Sequence, residues 1–171
     1  EDKVFCAAPK SVFSCEKTTG VIQTYDKTNG LNDVDIKTMN YDPATKVLVI
    51  AYTNSNLDLI FNGTDVYNIP DIKNSASTGS IGINGISFYE SKCYIASDLG
   101  ISVINLPKRE IENTYIIGSN GQQVKVFDAS CDGVNIYAAT QEGLKYASLS
   151  SANLLDYHSW NLYDTATGLP Q

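Results

Sequence analysis

Short apolar runs, five or six residues long and broken by Asn, Gly, Asp or Pro, recur along this chain at a nearly fixed spacing. Leu48-Val49-Ile50-Ala51-Tyr52 precedes Asn56-Leu57-Asp58-Leu59-Ile60, Cys93-Tyr94-Ile95-Ala96-Ser97 precedes Gly100-Ile101-Ser102-Val103-Ile104, and Ile136-Tyr137-Ala138-Ala139-Thr140 precedes Gly143-Leu144-Lys145-Tyr146-Ala147. A diverged copy, Val4-Phe5-Cys6-Ala7-Ala8 with Ser11-Val12-Phe13-Ser14-Cys15, comes before them. The aligned alanines Ala7, Ala51, Ala96 and Ala139 are 44, 45 and 43 residues apart. No stretch carries the i, i+3, i+4, i+7 apolar pattern of a helix through to a cap. A period of about 40 to 45 residues filled only by strands predicts four-stranded propeller blades.

The second repeat shows the unit best. An inner strand over 36–41 is followed by the turn Asp42-Pro43-Ala44-Thr45-Lys46, then strands over 47–52, 56–61 and 66–69. In the third, strands fall at 85–89, 93–96, 101–105 and 111–117; in the fourth, at 124–127, 135–139, 144–149 and 160–163. Tyr25-Asp26-Lys27-Thr28-Asn29-Gly30-Leu31 and Tyr163-Asp164-Thr165-Ala166-Thr167-Gly168-Leu169 match at a separation of 138 residues, close to three periods, and mark equivalent crossings between blades. The reading is an all-β chain, a partial β-propeller of about four four-stranded antiparallel blades over residues 1–171, with repeats near 1–31, 32–80, 81–120 and 121–169. Closed propellers have about 4 to 8 blades, so the chain is expected to be a segment of a larger ring. Open blade faces and an unpaired edge then favour self-association. The aligned alanines are expected to be buried between blades.

Composition narrows the function. Nineteen acidic and twelve basic residues give a net charge of −7, which argues against a nucleic-acid partner, because that binding relies on clustered Lys and Arg. No apolar run approaches the length of about 20 residues that crosses a bilayer as a helix, so no membrane insertion is expected. The four cysteines have none of the close spacings of thiolate metal sites, and neither a metal nor a cofactor is implied. A tight connection through Ala8-Pro9-Lys10-Ser11 would set Cys6 opposite Cys15, leaving two alternatives: a cross-strand disulfide, or two small buried hydrophobes. Cys93 and Cys131 are expected to be unpaired.

Candidate chemistry is sparse. His158, the one histidine, lies in Asp156-Tyr157-His158-Ser159-Trp160; strand neighbours point to opposite faces, so no Ser/His/Asp triad is expected there. Tyr157, His158 and Trp160 are the candidate ligand-loop residues, with Tyr157 offering a face for a sugar and Trp160 suited to packing between blades. Tyr52, Tyr94, Tyr137 and Tyr146 read as blade packing. The stretch from Asp26 to Asp33 lacks the alternating acid and amide ligands and the closing Glu of a calcium loop; Asp26 and Asn29 are expected to bond their own backbone, with Gly30 at positive φ. Gly82, Gly85 and Gly118-Ser119-Asn120-Gly121 read as loop punctuation, and the sequon Asn62-Gly63-Thr64 as a hairpin turn. No convergent set of titratable groups marks an enzyme.

Several segments carry a resemblance. Tyr25-Asp26-Lys27-Thr28-Asn29-Gly30-Leu31-Asn32-Asp33, Asn68-Ile69-Pro70-Asp71 and Ile104-Asn105-Leu106-Pro107-Lys108-Arg109-Glu110-Ile111 are not dictated by a generic blade, and with them the chain resembles the amino-terminal two-component-regulator-type propeller of the PorZ family. The resemblance implies an exported protein of Bacteroides-type bacteria, located in the periplasm or at the outer-membrane surface. It implies two seven-bladed propellers and a carboxy-terminal β domain, of which this chain would be about half of the first propeller. It further implies a non-catalytic role assisting type IX secretion and the attachment of cargo to anionic lipopolysaccharide, with protein or lipopolysaccharide/glycan partners. The alternative is the periplasmic glycan-sensing propeller of a hybrid two-component regulator. Asp164-Thr165-Ala166 matches the short acceptor pattern for O-glycosylation in such bacteria.

Overall fold

The computed structural model describes residues 3–75 and 81–163. Fifteen strands among them form four antiparallel sheets. The first sheet holds β1 (Lys3–Ala8), β2 (Ser11–Glu16) and β3 (Ile22–Asp26); the second holds β4 (Ile36–Asp42), β5 (Val47–Tyr52), β6 (Leu57–Phe61) and β7 (Asp65–Ile69). The third runs β8 (Ile83–Tyr89), β9 (Lys92–Ser97), β10 (Gly100–Asn105), β11 (Glu110–Tyr115), and the fourth β12 (Val126–Cys131), β13 (Asn135–Thr140), β14 (Gly143–Ser148), β15 (Asn161–Tyr163). In every sheet the strands lie side by side in chain order. The first and second sheets fall in one compact unit, residues 1–81, and the third and fourth in another, residues 82–171.

Local chemistry explains the connections. Asp42 accepts hydrogen bonds from the Ala44 and Thr45 amides and the Thr45 hydroxyl, closing the turn between β4 and β5. Asn62 and Gly63 both adopt positive φ and the Thr64 amide donates to the Phe61 carbonyl, so the sequon is the hairpin turn expected of it. Asp26 accepts from the Thr28 amide and hydroxyl, Asn29 accepts from the Asp26 amide, and Gly30 has a φ of 137°. The three complete sheets share one irregularity: each inner strand bulges at its second residue, Lys37, Asn84 or Phe127, so that Ile36, Ile83 and Val126 oppose Tyr52, Ser97 and Thr140.

Each unit is held by apolar side chains between its two sheets. In the first unit Val12, Tyr25 and Leu31 close against Leu48, Ile50, Tyr52 and Ile60. In the second, Tyr94, Ala96, Ile101 and Val103 meet Val126, Ala129, Ile136, Ala138 and Ala147. A fully buried Ile or Val contributes about 1.5 to 3 kcal/mol, so these seams dominate the stability of each pair. The close approach depends on small residues: a Cβ on Gly85 of β8 would lie 2.7 Å from the Asp128 carboxylate of β12.

Several expectations are corrected. With Ala8 opposite Ser11 across the Pro9-Lys10 turn, Cys6 faces Phe13 and Cys15 faces Val4. The two cysteines are therefore diagonal neighbours, about 7 to 8 Å apart in such ladders, and both are free and exposed rather than bridged or buried. Of the aligned alanines, Ala51 and Ala96 are fully buried, but Ala7 and Ala139 are exposed. Ala139 lies on the face of the fourth sheet turned away from the third, where no sheet packs on it among the described residues. The first sheet has three strands among the described residues, in keeping with an opening repeat that starts at the counterpart of a second strand. The inner strand of the fourth repeat is Val126–Cys131 rather than 124–127. A five-residue helix, α1 (Asp71–Ser75), was not foreseen; it follows Pro70, buries Ile72, and is too short to show a helical period. The match at 163–169, apart from Tyr163, and the acceptor Asp164-Thr165-Ala166 lie outside the described residues.

Candidate functional site

In the second unit three connections converge: 116–125 between β11 and β12, 141–142 between β13 and β14, and 149–160 between β14 and β15. They border two adjoining open clefts of about 680 and 390 Å³ that share Glu142. The first is lined by Asp98, Gln123, Lys125 and Gln141, the second by Ser119, Asn120, Lys145, Tyr157 and His158.

Lys145 anchors the partition between the clefts. It sits in the middle of β14, only 7% exposed, and its ammonium donates to the Ile117 carbonyl at 2.7 Å and to Glu142 Oε2 at 2.6 Å. Glu142 also accepts from the Ser119 hydroxyl at 2.8 Å and the Ser119 amide. The bond from Lys145, followed by that from Ser119, holds the Glu142 carboxyl below its ordinary range. The result is a charged clasp tying two connections to β14. Across the other cleft Asp98 accepts from the Gly82 amide and Asn84 and pairs with Lys125 at 3.2 Å; burial works to raise its pKa, but those donors outweigh it and the carboxyl is lowered.

The segment from Asp156 to Ser159 is not extended. Residues 157–159 form a 3₁₀ turn capped by Asp156, whose carboxylate accepts from the His158 amide and lies 2.8 Å from His158 Nδ1. The Ser159 hydroxyl donates instead to the Asn153 carbonyl at 2.7 Å, away from the imidazole. Tyr157 lies against Gly121 and 3.9 Å from the His158 ring; it is half-buried and His158 exposed, and both line the second cleft. Trp160 is buried with Tyr115 at a ring separation of 6.0 Å, and its indole N–H donates to the Leu154 carbonyl. It is part of the seam between the third and fourth sheets.

Sequence reasoning missed the buried polar groups at the repeat-equivalent position of the third strand in the three complete sheets: Asp58 of β6, Ser102 of β10 and Lys145 of β14. A polar residue at the same point of an otherwise apolar run was the available signal. Each is satisfied in its own way. Asp58 accepts from the Asn32 amide and side chain, Tyr52 and Asn68, while Ser102 meets Thr114. Burial, with the Asp58 carboxylate beside it, pushes the Tyr52 hydroxyl well above its ordinary value, so it remains a donor. In the same unit Asp33 binds Asn54 and Lys73; burial opposes ionisation, but these bonds hold its pKa at about 2. Among the described residues no group of three or more His, Cys, Asp or Glu converges as a metal site, and no helix is long and apolar enough to cross a membrane.

Repeated antiparallel sheets joined in chain order, each seam packed by the same strand positions, define a partial β-propeller. The family model described as the type IX secretion system PorZ N-terminal beta-propeller domain matches residues 4–161, and the chain belongs to that family. Among solved structures it is similar to PorZ of Porphyromonas gingivalis, described as an essential bacterial surface component of the type-IX secretion system. The TM-score is 0.81 at 25% identity over 94% of this chain, and the chain spans 21% of that one. It shares its fold with the extracellular domain of a hybrid two component system of B. thetaiotaomicron, with a TM-score of 0.67 at 18% identity over 89% of this chain and 21% of the other. The computationally designed Ika4 protein gives 0.63 at 10% identity, over 88% of this chain and 87% of that one. No curated protein matches by sequence.

Proposed function

We propose that this chain is a non-catalytic binding and scaffold module of an exported surface protein that assists type IX secretion and the attachment of cargo to anionic lipopolysaccharide. The observation that carries the reading is the family match over 4–161, which includes the crossings and connections that a generic blade does not require. The use of the polar groups supports a non-catalytic role: Glu142, Lys145, Asp58 and Asp33 are spent on holding connections in place, and the Ser159 hydroxyl is directed to a backbone carbonyl. Rigid sheets that present shaped connections are suited to docking. The net charge of −7 favours a protein partner over an anionic polysaccharide for this part of the molecule. Placement in the periplasm or at the outer-membrane surface belongs to the same reading.

The glycan-sensing alternative is favoured only by the fold it shares with the two-component extracellular domain, which is weaker support than a family match. Replacing this domain in the full-length gene and following type IX cargo in the host distinguishes the two. Cargo held back from the cell surface is the expected result. Normal delivery with an altered transcriptional response to glycans would overturn it.

A further inference from the structure

At the end of the third and fourth sheets away from Glu142 lies another open cleft, of about 450 Å³, walled by Tyr89, Tyr94, Val134 and Leu149. The turn from β8 to β9 and the turn from β12 to β13 frame it, so the whole cleft belongs to the second unit. Tyr94 is its floor, 4% exposed, with its hydroxyl bonded to the Cys131 thiol. Tyr89 ends β8 and opposes Lys92 across the two-residue turn Glu90-Ser91. Its hydroxyl reaches across to the other turn, 3.4 Å from where a Cβ on Gly133 would stand.

Val134 is the apolar lip of this cleft. It is 65% exposed, and by the alternation of β13 it falls on the same side as Ile136 and Ala138, which are buried in the seam with the third sheet. Its exposure therefore belongs to the cleft and not to the outer face of the fourth sheet. An apolar side chain so far in water, beside two tyrosines and Leu149, has the composition of a contact surface. The charge around it is one-sided. Glu90, Glu112 and Asp132 stand against one lysine, Lys92, and that lysine already pairs with Glu112 at 3.1 Å. Glu90 and Asp132 have no cationic partner among the described residues. Both lie near enough to the Tyr89 hydroxyl to help push its pKa up, after the larger effect of burial.

We propose that this cleft receives an arginine side chain from a partner polypeptide, its guanidinium stacked on Tyr89 and paired with Glu90, its aliphatic stem against Val134 and Leu149. A planar guanidinium combines the two contacts the cleft offers, because it stacks on an aromatic face and pairs with a carboxylate at once. Its stem covers apolar surface while the charge stays at the rim. A purely apolar anchor would desolvate Glu90 and Asp132 and leave both unpaired, and an anion would be repelled by them. The compact, strongly hydrated ammonium of a lysine makes less use of the tyrosine ring. Arginine and tyrosine are also the residues that most often anchor protein interfaces. The inference goes beyond the proposed function and stands on the cleft alone, whatever pathway the chain serves.

The test uses the whole 171-residue chain, labelled with nitrogen isotope for NMR, and two short capped peptides. One carries arginine between glycines; the other carries citrulline, which keeps the shape and removes the charge. Saturable shifts of the backbone amides around Glu90 and Val134 are expected, with the arginine peptide bound about tenfold or more tighter than the citrulline peptide. Glu90→Gln alters an exposed side chain and is expected to shrink that preference about threefold or more while leaving citrulline binding unchanged. Equal binding of the two peptides, a preference undiminished in Glu90→Gln, or shifts confined to the clefts at Glu142 would overturn the proposal. None of these readouts depends on secretion, so the failure of this inference and that of the proposed function are told apart.

Discussion

The Tyr52 hydroxyl donates to the Asp58 carboxylate at 2.6 Å, and both residues are wholly buried. The same carboxylate accepts from the amide and side chain of Asn32, so it fixes the crossing from β3 to β4 onto β6. An Asp58→Asn change puts an amide donor where only acceptors are wanted. Urea unfolding should show a loss of about 2 to 4 kcal/mol, with Tyr52→Phe costing less because it leaves the other donors in place.

Ala96 and Ala139 hold the same place in two repeats but not the same surroundings. Ala96→Asp buries an unpaired carboxylate against Val126 and Ile136 and should cost several kcal/mol, enough to prevent folding. Ala139→Asp should change the melting temperature little, since Ala139 is exposed. Parallel thermal melts by circular dichroism check the pair, and equal behaviour would contradict the seam described above.

Glu142 neutralises a lysine that is almost entirely out of water. Glu142→Gln leaves the Lys145 ammonium with the Ile117 carbonyl as its neutral partner and should destabilise by about 1 to 3 kcal/mol. Adding Lys145→Met should recover part of that loss. A double-mutant cycle on unfolding free energies measures the coupling.

Asp33 gives the first unit a pH response at the acid end. Its folded pKa of about 2 lies below the ordinary 3.8, so its stabilising contribution is complete above about pH 4 and is lost as pH falls from there through 2. The contribution is about 1 kcal/mol after allowing for the exposed lysine partner. Denaturation curves at pH 5 and pH 2.5 should show a smaller loss in Asp33→Asn than in the parent.

The face of the fourth sheet turned away from the third carries Tyr137, Ala139, Leu144 and Tyr146, the counterparts of Tyr94, Ala96, Ile101 and Val103 that fill a seam elsewhere. On the first sheet, Val4 and Phe13 are 44% and 40% exposed. The chain should associate with itself at concentrations on the order of tens of micromolar, read as a concentration-dependent shift in sedimentation velocity. A strict monomer across that range would count against it.

The sheets were legible because the apolar runs are short and recur at one period, and β5 falls within the bounds that Val47 and Tyr52 suggest. What escaped was whatever depends on a neighbour. Burial of an aligned alanine depends on whether another sheet covers it, and the pairing of Cys6 turns on where a two-residue turn is centred. The arrangement of Tyr157, His158 and Asp156 arises from a three-residue turn with no period to detect, and α1 hides for the same reason. The clasp between Glu142 and Lys145 had a visible trace in the lysine interrupting an apolar strand, but its partners come from a connection whose path the sequence pattern does not specify.

Lys37, Asn84 and Phe127 stand at the one place in each inner strand that the ladder leaves out of its count. A cation, an amide and an aromatic ring there share nothing chemically, yet the strands around them keep the same phase. Where the bulge residue is exposed, as Lys37 and Phe127 are, its chemistry can be rewritten with the architecture untouched; where it is half-buried, as Asn84 is, the same place becomes a tie, donating to Asp98 and to the Val126 carbonyl of the neighbouring sheet.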